Sequence, residues 1–170
     1  MTAAGAEKTE RKLYLVRHGR YNPEAGPGLT EPGRCECENM AAHLAALDPE
    51  IFSVFHSGKR RALETAEIFA HALRLKAAPE MLPGTCPNDD PDPVALILSG
   101  MSGAVLVSHL PFLERLVHSL APAAAERELQ FLPCSMAVLA FRGGAWTLEE
   151  LFHPSSIETK KAPEPKEEKP

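Results

Sequence analysis

Short apolar runs alternate along this chain with longer stretches whose apolar residues recur at helical spacing. Runs at 13–16, 52–57 and 103–108 have the length and composition of strands. In 32–47, Met40, Ala41, Leu44 and Leu47 mark one face of a helix, and Thr30 or Glu31 is placed to cap its start. Leu63, Ala66, Ile68, Phe69 and Leu73 repeat the pattern over 62–73, and 91–99 and 111–120 read as two shorter helices. Pro111 suits a first helical turn, where its missing N–H costs nothing. Late in the chain, 136–141 and 146–152 flank Gly143-Gly144, a turn signal that predicts an antiparallel hairpin. The alternation predicts an α/β fold with a mostly parallel sheet and an antiparallel edge.

The three early strands are distinguished by the residues at their ends. Leu15-Val16-Arg17-His18-Gly19 delivers a histidine, a permanent positive charge and a glycine to one spot. A histidine beside a guanidinium is poorly suited to holding a cation and well suited to attacking a phosphorus whose oxygens the arginine neutralises. Gly19 lets backbone amides approach an anionic ligand closely. A buried structural histidine at a strand end is the alternative that the triplet alone leaves open. Ser57 and Arg61 fall at the next strand-to-helix junction, and Ser108 with His109 ends the third run. In open α/β sheets, ligands bind at the carboxyl ends of the strands, where the N-termini of the succeeding helices favour anions.

Four segments occur in order: Arg17-His18-Gly19, Leu29-Thr30-Glu31-Pro32-Gly33, Ser57-x-x-x-Arg61-Ala62-x-x-Thr65 and Val107-Ser108-His109-Leu110-Pro111. With them the chain resembles the histidine phosphatase superfamily, of phosphoglycerate mutase-like fold, over residues 12–146. The Ser-His-Leu-Pro segment and the small size resemble the SixA phosphohistidine phosphatase branch. The resemblance implies a three-layer α/β sandwich in which His18 is the nucleophile and is transiently phosphorylated. Arg17, Arg61 and His109 would surround the phosphoryl group, with Gly19, Ser57 and Ser108 contacting substrate. Two guanidiniums and an imidazolium match the charge that a phosphoryl group in transfer spreads over its equatorial oxygens, so neither a metal nor a cofactor is expected. His18 must be neutral, with its proton on a ring nitrogen held by a backbone carbonyl, whereas His109 is most useful protonated. Two such titrations predict a bell-shaped rate profile.

Larger relatives in the superfamily supply a glutamate as general acid for an alkoxide leaving group, and no glutamate matches it here. The corresponding stretch, Leu82-Pro83-Gly84-Thr85-Cys86-Pro87-Asn88-Asp89-Asp90-Pro91, offers Asp89 or Asp90 either as that acid or as the N-cap of the next helix. A strong acid matters less for phosphohistidine, whose P–N bond is labile once its nitrogen is protonated. Little chain lies between Met81 and Ser102 from which to build a cover, and an open pocket suits a phosphorylated protein side chain. The leading reading is therefore a phosphohistidine phosphatase acting on a phosphohistidine-bearing carrier protein. A small-molecule phosphomonoesterase with the same pocket and a non-catalytic phosphate-binding or phosphohistidine-binding module are the alternatives. Arg20 extends the positive charge at the pocket rim or is a solvated surface residue.

Composition narrows the class. The 170 residues suit one domain with a single core, read as 11–154 between disordered segments at 1–10 and 155–170, the latter rich in Pro, Lys and Glu. A formal net charge of -5 without a basic stripe argues against nucleic acid as a partner, and Lys59-Arg60-Arg61 is too short to track a phosphate backbone. Cys35, Cys37, Cys86 and Cys134 lack zinc-site spacing and are read as reduced thiols of a cytoplasmic protein, with no Cys35–Cys37 disulfide. No apolar stretch has the length to span a bilayer. A monomer is expected. His43, His71, His118 and His153 lie outside the four segments and are assigned to structure or surface.

Overall fold

The structure, a computed structural model, describes residues 10–157. Its elements run β1 (Arg11–Arg17), α1 (Glu31–Ala46), β2 (Ser53–His56), α2 (Arg60–Ala72), β3 (Glu80–Met81), α3 (Asp92–Ser99), β4 (Ala104–Ser108), α4 (Phe112–Leu120), β5 (Met136–Arg142) and β6 (Ala145–Phe152). The strands form one sheet in the order β3-β2-β4-β1-β5-β6. β3, β2, β4 and β1 are mutually parallel, and β5 and β6 extend the sheet antiparallel.

Strand alternation divides the core in two. Leu13 and Leu15 of β1, with Leu106 of β4 and Leu139 of β5, point toward α3 and α4, where they meet Leu98, Phe112, Leu113 and Leu116. Tyr14 and Val16, with Val105, Val107 and Met136, point to the opposite face and pack on Met40, Leu44, Ala66 and Phe69 of α1 and α2. Helices thus cover both faces, giving the three-layer sandwich. The parallel strands β1 and β4 are buried on both sides and read accordingly as near-continuous apolar runs. β3 leaves no trace in the sequence, since it is only two residues long, both exposed, and is formed by pairing with Phe55 and His56.

The fold described extends slightly beyond the expected limits of 11 and 154. Glu10 pairs with Lys12 at 3.7 Å and with Arg142, and Pro154–Ser156 form a single 3₁₀ turn leading to Ile157, which is buried against the α1–α2 face. The remainder of the two segments read as disordered, 1–9 and 158–170, lies outside the described residues. No helix among the described residues is long and apolar enough to cross a membrane.

Candidate active site

β1 lies at the centre of the sheet, between β4 and β5, and its last residue, Arg17, is paired in register with Ser108. His18 N–H donates to Ser108 O at 3.0 Å, so the chain turns out of the sheet beside the point where β4 delivers His109. The two imidazoles consequently face each other, with ring centroids 4.8 Å apart. Both are buried, at 6 % and 2 % exposure.

Hydrogen bonding fixes the tautomer of His18. Its Nδ1 lies 2.8 Å from Gly19 O, and Arg61 Nε lies 3.3 Å from its Nε2. A carbonyl oxygen can only accept and a guanidinium can only donate, so Nδ1 carries the proton and the Nε2 lone pair faces Arg61. Burial, reinforced by the charges of Arg61 and Arg17, lowers the His18 pKa to about 4. His18 is therefore a neutral imidazole at physiological pH, with its Nε2 lone pair directed at Arg61 in a positively charged setting.

Arg61 reaches the site from the first turn of α2, and its guanidinium carbon sits 4.2 Å from the centre of the Tyr21 ring. Arg17 donates from Nη1 to Phe131 O at 2.7 Å, and its buried Nε has no protein partner. Burial pushes the Arg17 guanidinium down from its ordinary value, and the charge of Glu114 in α4 opposes this. His109 Nε2 is 2.6 Å from Ser57 Oγ, and its buried Nδ1 is likewise unpartnered. His18 and the three residues expected to surround a phosphoryl group, Arg17, Arg61 and His109, are thus brought together, with Ser57 beside them.

One expectation about charge is corrected. A protonated His109 is the form the sequence reading favours, but burial together with the charges of His18, Arg61, Lys59 and Arg17 lowers its pKa to about 3 in the free site. Both histidines are neutral before substrate binds. The positive charge at the free site is that of Arg17, Arg61 and Lys59.

The glycine and serine positions have distinct roles. Gly19 N–H donates to Thr65 Oγ1 at 3.1 Å, and a Cβ on Gly19 would lie 2.5 Å from Cys37 Sγ. Close packing against α1 is therefore what requires glycine here. Thr65 in turn donates to Arg61 O at 2.8 Å, which links Gly19 to the first turn of α2. Ser108, expected as a substrate contact, is fully buried and donates from Oγ to Thr85 O at 2.5 Å, so its hydroxyl braces the 82–91 loop against β4. Asp89 accepts from Cys86 N–H at 2.8 Å and Asp90 from Asp92 N–H at 3.0 Å. The Asp89 carboxylate is thus turned into its own loop and that of Asp90 onto the first residue of α3, whose cap position, Pro91, makes no side-chain capping bond. Arg20 is an exposed residue paired with Glu36 at 3.0 Å.

Two residues at the site escape the sequence reading. Tyr21 lies two positions beyond Gly19 and touches both His18 and Arg61. Cys134 adopts a left-handed conformation, φ 61°, and directs its N–H at the carbonyls of Arg17 and His18, 3.1 and 3.2 Å away. Gly or Asn would have signalled such a backbone, whereas a cysteine does not. Alongside His18 the surface opens into a recess of about 480 Å³ lined by Arg17, Gly19, Arg20, Tyr21, Thr30, Pro32 and Pro133.

Comparison with known proteins agrees with this geometry. The family model described as "Histidine phosphatase superfamily (branch 1)" matches residues 13–82. The phosphohistidine phosphatase SixA of Escherichia coli (strain K12) is 32% identical over 120 residues, a match covering 65% of this chain and 74% of that protein. This chain belongs to the histidine phosphatase superfamily. A solved structure of SixA complexed with tungstate superposes with a TM-score of 0.77 at 28% identity, covering 85% of this chain and 97% of that one. The mitochondrial serine/threonine-protein phosphatase PGAM5 of Rattus norvegicus is 32% identical over 83 residues, which is 46% of this chain and only 26% of that relative's length. The chain is accordingly a histidine phosphatase with an α/β fold like that of SixA and the phosphoglycerate mutase-like structures.

Proposed function

We propose that this histidine phosphatase hydrolyses phosphohistidine on a carrier protein, through a covalent intermediate on Nε2 of His18. Nε2 attacks phosphorus as the P–N bond to the substrate imidazole breaks; the bonding pair stays on the departing nitrogen, and the imidazole leaves neutral because its other ring nitrogen already carries a proton. Water then attacks phospho-His18, releasing inorganic phosphate and restoring the neutral imidazole. Arg17 and Arg61 stabilise the charge on the equatorial oxygens, and Gly19 and Ser57 border the same space. Entry of the phosphoryl anion offsets the positive field that keeps His109 neutral, so His109 gains its proton with substrate bound.

The observation that carries this reading over an ester substrate is the placement of Asp89 and Asp90. The carboxylates best placed in the sequence to protonate an alkoxide are engaged by the backbone amides of Cys86 and Asp92. An imidazole leaving group has no such requirement. The name of the SixA relative points the same way, while the PGAM5 match keeps a phosphoester substrate as the second reading. The deciding contrast is phosphate release from a phosphohistidine-bearing carrier protein, measured beside a panel of phosphoserine, phosphothreonine and small phosphate esters, with His18→Ala as the control. Much faster turnover of the carrier and an inert variant support the proposal. Preference for the esters would overturn it.

A further inference from the structure

The arginines around the site are held differently: Arg17 by the carbonyl of Phe131, others by carboxylates. Arg20 pairs with Glu36, and Arg34 and Arg60 pair with Glu64. Among the described residues Arg61 has no carboxylate at ion-pair distance. Its contacts are His18 Nε2 at 3.3 Å and the face of the Tyr21 ring at 4.2 Å. A carboxylate partner would hold the guanidinium but cancel its charge and compete with an incoming phosphoryl group. An aromatic face attracts the cation through its quadrupole and leaves the net charge intact. The Tyr21 ring also meets the His18 ring edge-on, with centroids 5.6 Å apart and an interplanar angle of 77°. One side chain therefore contacts both the nucleophile and the cation beside it.

Tyr21 is itself tied down. Its backbone forms an antiparallel bridge with Leu29, and Leu29 N–H donates to Glu64 Oε2 at 2.7 Å on α2, the helix that carries Arg61. We propose that Tyr21 is a positioning residue for phosphoryl transfer, its ring face holding the Arg61 guanidinium in place as Arg61 exchanges His18 Nε2 for the phosphoryl oxygens. In the free site Arg61 occupies the lone pair that must attack, so it has to move a short way without leaving the pocket. A guanidinium resting on a ring face can slide and turn in its plane while keeping that contact. Tyr21 acts through Arg61 and contributes no proton.

The inference rests on the phosphoryl pocket proposed at His18 but not on which phosphorylated group enters it. Orthovanadate, an analogue of the transferring phosphoryl group, serves as the probe for the full-length protein. Tyr21→Leu is expected to weaken vanadate binding about tenfold, in the range of a desolvated cation–aromatic contact, and Tyr21→Phe to restore it. In an Arg61→Ala background the Tyr21→Leu change is expected to cost nothing further. Tyr21→Met makes the same comparison should thermal melting show that Tyr21→Leu is unfolded. The role is overturned if the aliphatic variants bind vanadate like wild type, if Phe is as damaging as Leu, or if the penalty persists undiminished without Arg61. Failure of the wild-type protein to bind vanadate would overturn the pocket itself, whereas tight vanadate binding without hydrolysis of phosphohistidine would overturn only the proposed substrate.

Discussion

At the scale of single residues, the site turns on how a histidine is kept neutral beside two guanidiniums. Gly19 O takes the Nδ1 proton, and burial with the charges of Arg61 and Arg17 disfavours a second one, lowering the His18 pKa to about 4. The free enzyme should therefore lose no kcat/KM between about pH 7 and 5.5 through protonation of His18, the proposed nucleophile. The acid limb of the profile, measured with a substrate that does not titrate in that range, falls near pH 4, well below the ordinary histidine value of 6.5. An acid limb near 6.5 would contradict the lowering of the His18 pKa by burial and the neighbouring charges. Gly19 supplies a second prediction, because a Cβ there would meet Cys37 Sγ at 2.5 Å. Gly19→Ala is expected to cost about 1–3 kcal/mol of stability, as overpacking does, and to displace His18, read as a lowered melting temperature together with reduced turnover.

Arg17, His18, Arg61 and His109 were legible before the fold because each sits beside a strand end or in the first turn of a helix, where local sequence dictates position. Tyr21 and Cys134 were not, since their roles come from the return of distant segments to β1. Ser108 misleads for a related reason. A hydroxyl next to His109 looks like a ligand contact until the 82–91 loop is seen to lie against it.

At the scale of elements, helix starts carry the functional information. α1 begins with Thr30, which accepts from Gly33 N–H at 3.1 Å, and a Cβ on Gly33 would collide with Arg20 O. The Leu29-to-Gly33 segment is thus a cap joined to a close approach of α1 to the loop after His18. α2 begins in the opposite manner, with Lys59 at the cap position making no side-chain capping bond, Arg60 and Arg61 next to it, and no acid in the first turn. Positive charge at a helix N-terminus opposes the macrodipole, so this element gives up stability to concentrate cations where an anion arrives. Lys59→Asp should supply a cap and remove one of these charges, raising stability by about 1 kcal/mol in denaturant unfolding. The same variant should bind vanadate more weakly. Gains in both would contradict this account of α2. The long periodic helices and the buried strands were readable because burial on one or both faces leaves a pattern, while β3 has no buried face and left none.

At the scale of the whole molecule, the two histidines couple the site to the stability of the fold. Their pKa values lie at about 4 and about 3 in the native protein, against 6.5 when unfolded. Between those values the unfolded chain binds more protons, so the stabilisation is complete above pH 6.5 and is lost as pH falls toward 4. Chemical denaturation at a series of pH values should show stability declining through this window, and His109→Asn should flatten the decline. The mixed sheet places the sources of this coupling together. β1 and β4, buried on both faces at the centre, end side by side and bring Arg17, His18 and His109 to the site. That architecture was readable from the alternation of elements, but the order of strands that brings His18 against His109 is a property of the assembled sheet.

The central claim is that Nε2 of His18 carries the phosphoryl group in passing. Rapid quenching in alkali during turnover, then mass spectrometry and ³¹P NMR of the denatured protein, addresses it most directly. The account predicts an acid-labile phosphoryl group on Nε2 of His18, absent from His18→Ala. Phosphate on Nδ1 or on another residue, or sustained turnover by the His18→Ala variant, would contradict it.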